Sequence, residues 1–514
     1  MDRLHANALG LPAIFFVCIA AIAPAASMLF NVPVMASQAG AATPLVFVLS
    51  AVGVLLLGVS VVYFARRLSS AGGFSTWVRH GLGRGAAFQA GWLMLFAYAL
   101  FEAALHATVA GSLDLTLSDL GVHLPGGWVG YATLLILIVG VLSYFDIKAS
   151  VWVMAPFAVA EVLALVVLNT AITVHGGASG HDFVHTFTPA GASVRGVAPG
   201  GTLGIGIAMV LGILAFVGFE TGAAYGEEAR HPRRTIPIAL FALLLFLTVL
   251  YTWTAYSATI GVGWQQAGTV LGNVSAAPGQ YVTLAGAFVG RWLGIALVVF
   301  VLTSNFASAF AMHQAMVRYC YSLGREGILP RIFGKTHPRW KSPYLAGLAQ
   351  SGFSLVVILL LGLIIEHPNK DGSVIYALGI AHNPDWQQVS GITSFSWLAS
   401  IVTICIIMVY ILTNLAAPFF ALRNKELRVL THIVAPAVST LMLLLPLASY
   451  VLPPLPLIGP VVTQLGFAPT PFPANILPLF VVGWVLLGQL YAAVLARRAP
   501  ERYARLGLVM HQEL

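Results

Sequence analysis

Runs of roughly 20 apolar residues recur along the chain, and each is long enough to cross a bilayer. This one feature restricts the fold more than any motif does. Inside a bilayer every backbone N–H and C=O must be satisfied by the chain itself, so spanning segments are helices or closed barrels. A barrel would show short alternating segments. Only 8% of the 514 residues are charged, against about 25% in soluble domains, too few to cover a soluble protein of this size. The sequence therefore predicts an all-α polytopic membrane protein.

Twelve spans are expected, at about 12–37, 41–64, 86–113, 128–145, 149–174, 201–226, 236–261, 285–322, 343–365, 391–416, 429–451 and 474–496. Basic residues orient them. With both termini placed in the cytoplasm, every Lys and Arg falls inside except Arg195, Arg291 and Lys370, as the bias of cytoplasmic loops toward positive charge requires. The N-terminal stretch has no clear cleavage site, so the first span is expected to remain as an uncleaved anchor. The net charge of +8 is dispersed over short loops without an aromatic-flanked stripe, which argues against a nucleic-acid partner. Cys18, Cys320 and Cys405 sit in apolar runs without ligand spacing and read as small buried hydrophobes. There is no GxSxG, no His-rich cluster and no phosphate-binding GxxxxGK[ST] loop. The chain is expected to be no enzyme, to need no metal or cofactor, and not to couple transport to ATP by itself.

Two spans are interrupted at mid-depth. Span one reads AAIAPAASMLFNVP, with Pro24 followed by Ala25, Ala26, Ser27 and Met28. Span six reads LGILAFVGFETGAAYGEEA, with Gly218 and Gly222 around Glu220. Proline removes a helical donor and clashes with the preceding turn; glycine lowers the cost of leaving helical geometry. The interruptions open two successive five-span blocks, about 12–174 and 201–416, and matched broken helices point to an inverted-repeat transporter. A half-helix beginning in mid-membrane offers N–H groups and a positive dipole end to a carboxylate. One that ends there offers carbonyls to an ammonium group or a cation. The domain reading is a transporter core over 1–426, then two further helices and a short cytoplasmic tail over 427–514.

Three passages resemble the amino acid–polyamine–organocation superfamily of permeases: Ser70 to Trp92, Phe216 to Ala239 and Met316 to Tyr344. The resemblance runs from Leu11 to about Arg498 and implies the LeuT-like fold of five plus five inverted spans, with spans one and six broken, plus two C-terminal helices. It implies a substrate site near the midplane between spans one, three, six and eight, built from Pro24, Ala25, Ala26, Ser27, Met28, Ala215, Phe216, Gly218, Phe219 and Met312. Many members carry Gly-Ser-Gly at the first break, where this chain has Ala26-Ser27-Met28. Counted from Gly91-Trp92, His106 matches a substrate-facing position, and Glu102, four residues away on the same helix face, would set its charge.

Ionisable residues within the spans are functional hypotheses by default. Glu161 in span five is expected to carry a proton or, with Ser304 and Ser308 of span eight, to hold a cation; in the resembling family that level of span five faces a cation site. Glu220 matches a glutamate on the cytoplasmic side of the site that bonds between helices, with a proton-linked or gating role. His313 reads as a packed or water-bonded residue. The functional expectation is a secondary transporter of neutral or cationic amino acids in the cytoplasmic membrane. It would be driven by protons, with sodium as the alternative ion. Exchange of amino acids or amines, polyamines included, is the close alternative, and an ion channel the distant one.

Overall fold

The computed structural model describes residues 10–68, 73–119, 121–122, 125–144, 147–197, 200–224, 229–340, 342–369, 374–379, 386–453, 459–464 and 472–505. Arg3, Lys341, Lys370 and the Glu227–Glu228 pair lie outside them.

Span one is two helices, α1 (Leu11–Ile22) and α2 (Pro24–Ala39), joined at Ala23. A short turn at 40–42 leads into α3 (Thr43–Ala65), then α4 (Phe74–Leu82), α5 (Arg84–Asp119), α6 (Gly127–Tyr144), α7 (Ile147–His175) and the short helix α8 (Phe183–Phe187). Span six is again divided, into α9 (Gly201–Leu214) and α10 (Thr221–Ala224). There follow α11 (Pro232–Val262), α12 (Gly279–Phe288), α13 (Arg291–Glu326), α14 (Tyr344–Leu361), α15 (Gly391–Arg423), α16 (Ala435–Val451), α17 (Gly459–Gln464), α18 (Leu477–Arg498) and α19 (Pro500–Arg505).

Among the described residues, ten helical stretches are long and apolar enough to cross a membrane. The first, Leu11–Ala65, contains both of the first two expected spans run together, while Gly201–Leu214 is a shorter apolar helix because span six is broken. The chain is a multi-pass helical membrane protein. Large apolar side chains such as Leu134, Leu137, Val141, Val249, Leu441 and Leu490 face outward, as a lipid-facing belt requires.

Four expectations need correction. The fold is not purely α-helical: β1 (Ile364–Pro368), β2 (Val374–Leu378) and β3 (Gln387–Gln388) form an antiparallel sheet in the order β2-β1-β3, with Ile364 opposite Leu378 and Glu366 opposite Tyr376. The β-branched residues Ile364, Ile365, Val374 and Ile375 favour a pleated hairpin, and Tyr376 is anchored on Trp397 and Phe472 at ring separations of 5.3 and 5.8 Å. Second, span eight starts at Arg291, not near 285. Gly290, at φ 144°, separates it from α12. Third, span ten runs on to Arg423 as α15, beyond 416, and α4, between spans two and three, packs on it so tightly that a Cβ on Gly81 would lie 2.3 Å from the Ala416 carbonyl oxygen.

The fourth correction concerns the first break. It lies at Ala23, held in the left-handed region at φ 51°, ψ 71°, while Ala25 to Met28 are already helical. Proline explains the shift. At the first helical position its missing donor costs nothing and its φ suits the helix, so Pro24 starts α2 instead of disrupting it. The break in span six falls where the sequence places it, across Ala215 to Glu220, with single-turn bonds from Phe216 to Ile213, Val217 to Leu214 and Phe219 to Phe216.

Candidate functional site

The two breaks meet. Gly218, at φ 109°, packs so closely on span one that a Cβ added to it would stand 3.1 Å from Ile22 Cγ1 and 3.3 Å from the Ala21 carbonyl carbon, and also 3.1 Å from Met312 Cε. Only glycine combines that backbone conformation with that approach. α13 lies across the same junction, where the Ser308 hydroxyl donates to the Ala21 carbonyl.

At the start of α2 the first N–H groups have no partner within the helix. Pro24 has none to offer. The Ala25 N–H donates to Glu161 Oε2 at 3.3 Å, so the carboxyl of α7 reaches the open end of the span-one half-helix. Glu161 is 3% exposed, and the Ser304 hydroxyl stands beside it. Ala26 supplies the next N–H. The Ser27 hydroxyl is turned back to the Ile22 carbonyl at 2.7 Å, bridging the two halves of the span.

The carboxylate within the second break is held differently. Glu220 accepts the Gly218 N–H at 3.1 Å, the Tyr98 hydroxyl of α5 at 3.2 Å and the Tyr410 hydroxyl of α15 at 3.0 Å. It thereby closes its own turn and fastens that turn to two other helices.

A cavity of about 20 Å³ opens between the breaks, room for roughly one water. Ile22, Ala23, Ala26 and Ser27 line it from span one, Leu214 and Val217 from span six, and Phe101 and Leu105 from α5. Phe30 and Asn31 of α2, Asn305 and Ser308 of α13, and Phe395 of α15 complete the wall. No lining residue is ionisable. The polar surface comes from Ser27, Ser308 and two amides, each 3% exposed, whose Asn31 Oδ1 and Asn305 Nδ2 have no hydrogen-bond partner among the described residues.

Of the residues expected to meet substrate, Ala26 and Ser27 are in the wall, joined by Ser308, which the sequence reading had placed with the cation. Pro24, Ala25, Met28, Ala215, Gly218 and Met312 form the packed layer behind it. Phe216 and Phe219 are also behind it: they pack against Tyr251 and Tyr410, with ring centroids 5.5 and 6.1 Å apart, and are almost fully buried. On α5 the cavity is lined from the face next to the expected one. Phe101 and Leu105 reach the cavity, and Glu102 and His106 turn away from it, because one residue rotates a helix face by about 100°. The two asparagines were missed in the sequence, although an amide within an apolar span is a signal of the same kind as a buried carboxylate.

The family model described as amino acid permease matches residues 9–507. The chain belongs to the amino acid permease family. Its relatives include the branched-chain amino acid permease of Lactococcus lactis, 28% identical over 60% of this chain and 67% of that protein. The branched-chain amino acid permease of Bacillus subtilis is 26% identical over 60% and 66%. The human cationic amino acid transporter 4 is 27% identical over 63% and 51%. The matched region thus spans about two thirds of the bacterial relatives and half of the human one. These are transporters, not enzymes, and amino acid transport is the activity that membership of this family carries.

Proposed function

We propose that the chain is a secondary active transporter that takes an amino acid with an uncharged side chain into the cavity between the two broken spans. The observation that carries this reading is the wall itself: an open half-helix end at Ala26, polar atoms from Asn31 and Asn305, and no ionisable lining residue. The N–H groups and dipole of α2 suit the substrate carboxylate. Leu105, Leu214, Val217, Phe101 and Phe395 suit an aliphatic side chain. The walls must part to admit a residue such as leucine, which fits alternating access by rocking one helix group against another.

Glu161 is the coupling residue in this reading. A proton arriving on the carboxyl weakens its hold on the Ala25 N–H, so proton binding and the opening of α2 are linked. Ser304 and Ser308 stand on the same side and serve the alternative, a bound sodium ion. The proposed architecture is twelve spans with the core in 1–426, two accessory helices in 427–514, and both termini on the cytoplasmic side of the cell membrane. The distribution of basic residues supports that orientation.

Purified protein in liposomes tests the reading. Leucine uptake should saturate, accumulate under an inward proton gradient, and show counterflow of labelled leucine. Stronger competition by arginine than by valine would overturn the preference for uncharged side chains. Counterflow without gradient-driven accumulation would replace symport by exchange, and flux without saturation would indicate a channel.

A further inference from the structure

Glu102 and His106 turn away from the cavity into a second buried polar cluster, in which Glu102 Oε2 has no hydrogen-bond partner among the described residues. His313 of α13 directs Nδ1 to Glu102 Oε1 at 3.0 Å and Nε2 to the Ser143 hydroxyl of α6 at 2.9 Å. Ser143 also bonds the Gly140 carbonyl at 3.1 Å. Glu102, His106 and His313 are all 0% exposed. His106 Nδ1 lies 3.8 Å from the same Glu102 oxygen, and neither of its ring nitrogens has a hydrogen-bond partner among the described residues.

A serine hydroxyl has one hydrogen, and a carbonyl oxygen only accepts. That hydrogen can go to Gly140 or to Nε2: with it on Gly140, the Ser143 oxygen accepts from His313 and Nε2 carries a hydrogen, which is the proton-loaded arrangement considered next. The 3.0 Å contact on the other side of the ring needs a hydrogen as well, either on Nδ1 or on Glu102. In both arrangements the pair holds one proton more than a neutral imidazole beside a carboxylate, and the buried site is electrically neutral. Loss of that proton leaves a net negative charge in the membrane interior, which is costly. It also forces the Ser143 hydroxyl to turn from Gly140 to Nε2. The titratable groups acting on Glu102 are His313 and His106, and those on His106 are Glu102 and His313. Among the described residues the other helices add no titratable group to the cluster: α6 contributes Ser143, and α14 contributes Gln350 and Gly347. A Cβ on Gly347 would stand 3.2 Å from Ser143 Oγ and 3.5 Å from His313 Nε2. Further along α13, Arg318 is engaged with Gln314 at 2.9 Å.

We propose that Glu102 and His313 form a proton-binding site, separate from the cavity and from Glu161, which holds one exchangeable proton and sets how α5 packs against α13. Its place in a transport cycle rests on the transporter reading, since Phe101, Leu105, Asn305 and Ser308 bring these same two helices to the cavity. The proton joins the two walls, and its departure loosens them.

Nitrogen-15 NMR of histidine-labelled protein decides the first half, with His313 assigned against His313→Gln or Ser143→Ala, whichever folds. The expected result is a hydrogen-bearing Nε2 at neutral pH; a bare Nε2 on a neutral ring would overturn the site. The second half is read from leucine uptake in liposomes over a series of pH values that spans the change in the Nε2 signal. Uptake should fall about tenfold over the interval where the Nε2 signal changes, and Glu102→Gln should flatten that profile to less than about twofold. An unaltered profile in Glu102→Gln, with the protein folded, would remove the site from the cycle. Absence of leucine counterflow in the unmodified protein would instead overturn the transporter reading, and the NMR result would still decide whether the proton is there.

Discussion

The two broken spans solve the same problem in opposite ways. In span one the interruption is a single residue, Ala23, and the Ala25 N–H, without a partner in its own helix, is met by a carboxyl borrowed from another helix, Glu161. In span six the interruption runs over six residues, 215–220, and the carboxyl that closes it is its own, Glu220, pinned by Tyr98 and Tyr410. A borrowed partner can be withdrawn by a proton or by movement of α7. A partner held by three bonds cannot leave without breaking all of them. In the proposed reading, span one is therefore the coupled gate and span six the fixed anchor.

The comparison can be broken most severely at Glu161. Glu161→Gln keeps an acceptor for Ala25 but cannot cycle a proton, so gradient-driven accumulation should fall by more than about tenfold in liposome uptake, and full accumulation would end the coupling assignment. Next is Gly218→Ala, which forces a side chain into a positive φ against Ile22. It should cost about 1–3 kcal/mol, read as a lowered Tm in detergent. Tyr410→Phe should cost about 1–2 kcal/mol by removing one of the bonds to buried Glu220. If span six is the anchor, adding Tyr98→Phe should cost more than the sum of the two single changes. The smallest effect belongs to Ala23→Gly. Relief of a left-handed alanine is largely offset by the backbone entropy of glycine, leaving a change within about 1 kcal/mol in Tm measurements.

Much of this fold was legible because hydropathy and turn chemistry act locally. Most of the span boundaries agree with the helices to within a few residues, and Gly218 marks the break of span six. The miss at Ala23 has a local cause too: a proline signals a helix start as readily as a kink, and nothing in AAIAPAAS distinguishes the two. The small sheet escaped notice because its strands are five residues or fewer inside a polar loop. The site was harder to read. Which face of α5 meets the cavity depends on helix rotation, and one residue of rotation separates Leu105 in the wall from His106 behind it. The partner of Glu102 is 211 residues away at His313, a pairing that only packing of α5 on α13 creates.

The division of span one at Ala23 also fixes a mechanical ratio. α1 is a rod of 12 residues, about 18 Å long at the usual helical rise. No peptide donor exists at Pro24 to brace it, and across the joint the Ser27 hydroxyl reaches back to the Ile22 carbonyl. Pivoting such a rod by about 15° carries its far end through about 5 Å while the end at the cavity hardly shifts. A displacement at Ala23 too small to disturb the packing around Gly218 would then be magnified at Leu11 into an opening the width of an amino acid side chain.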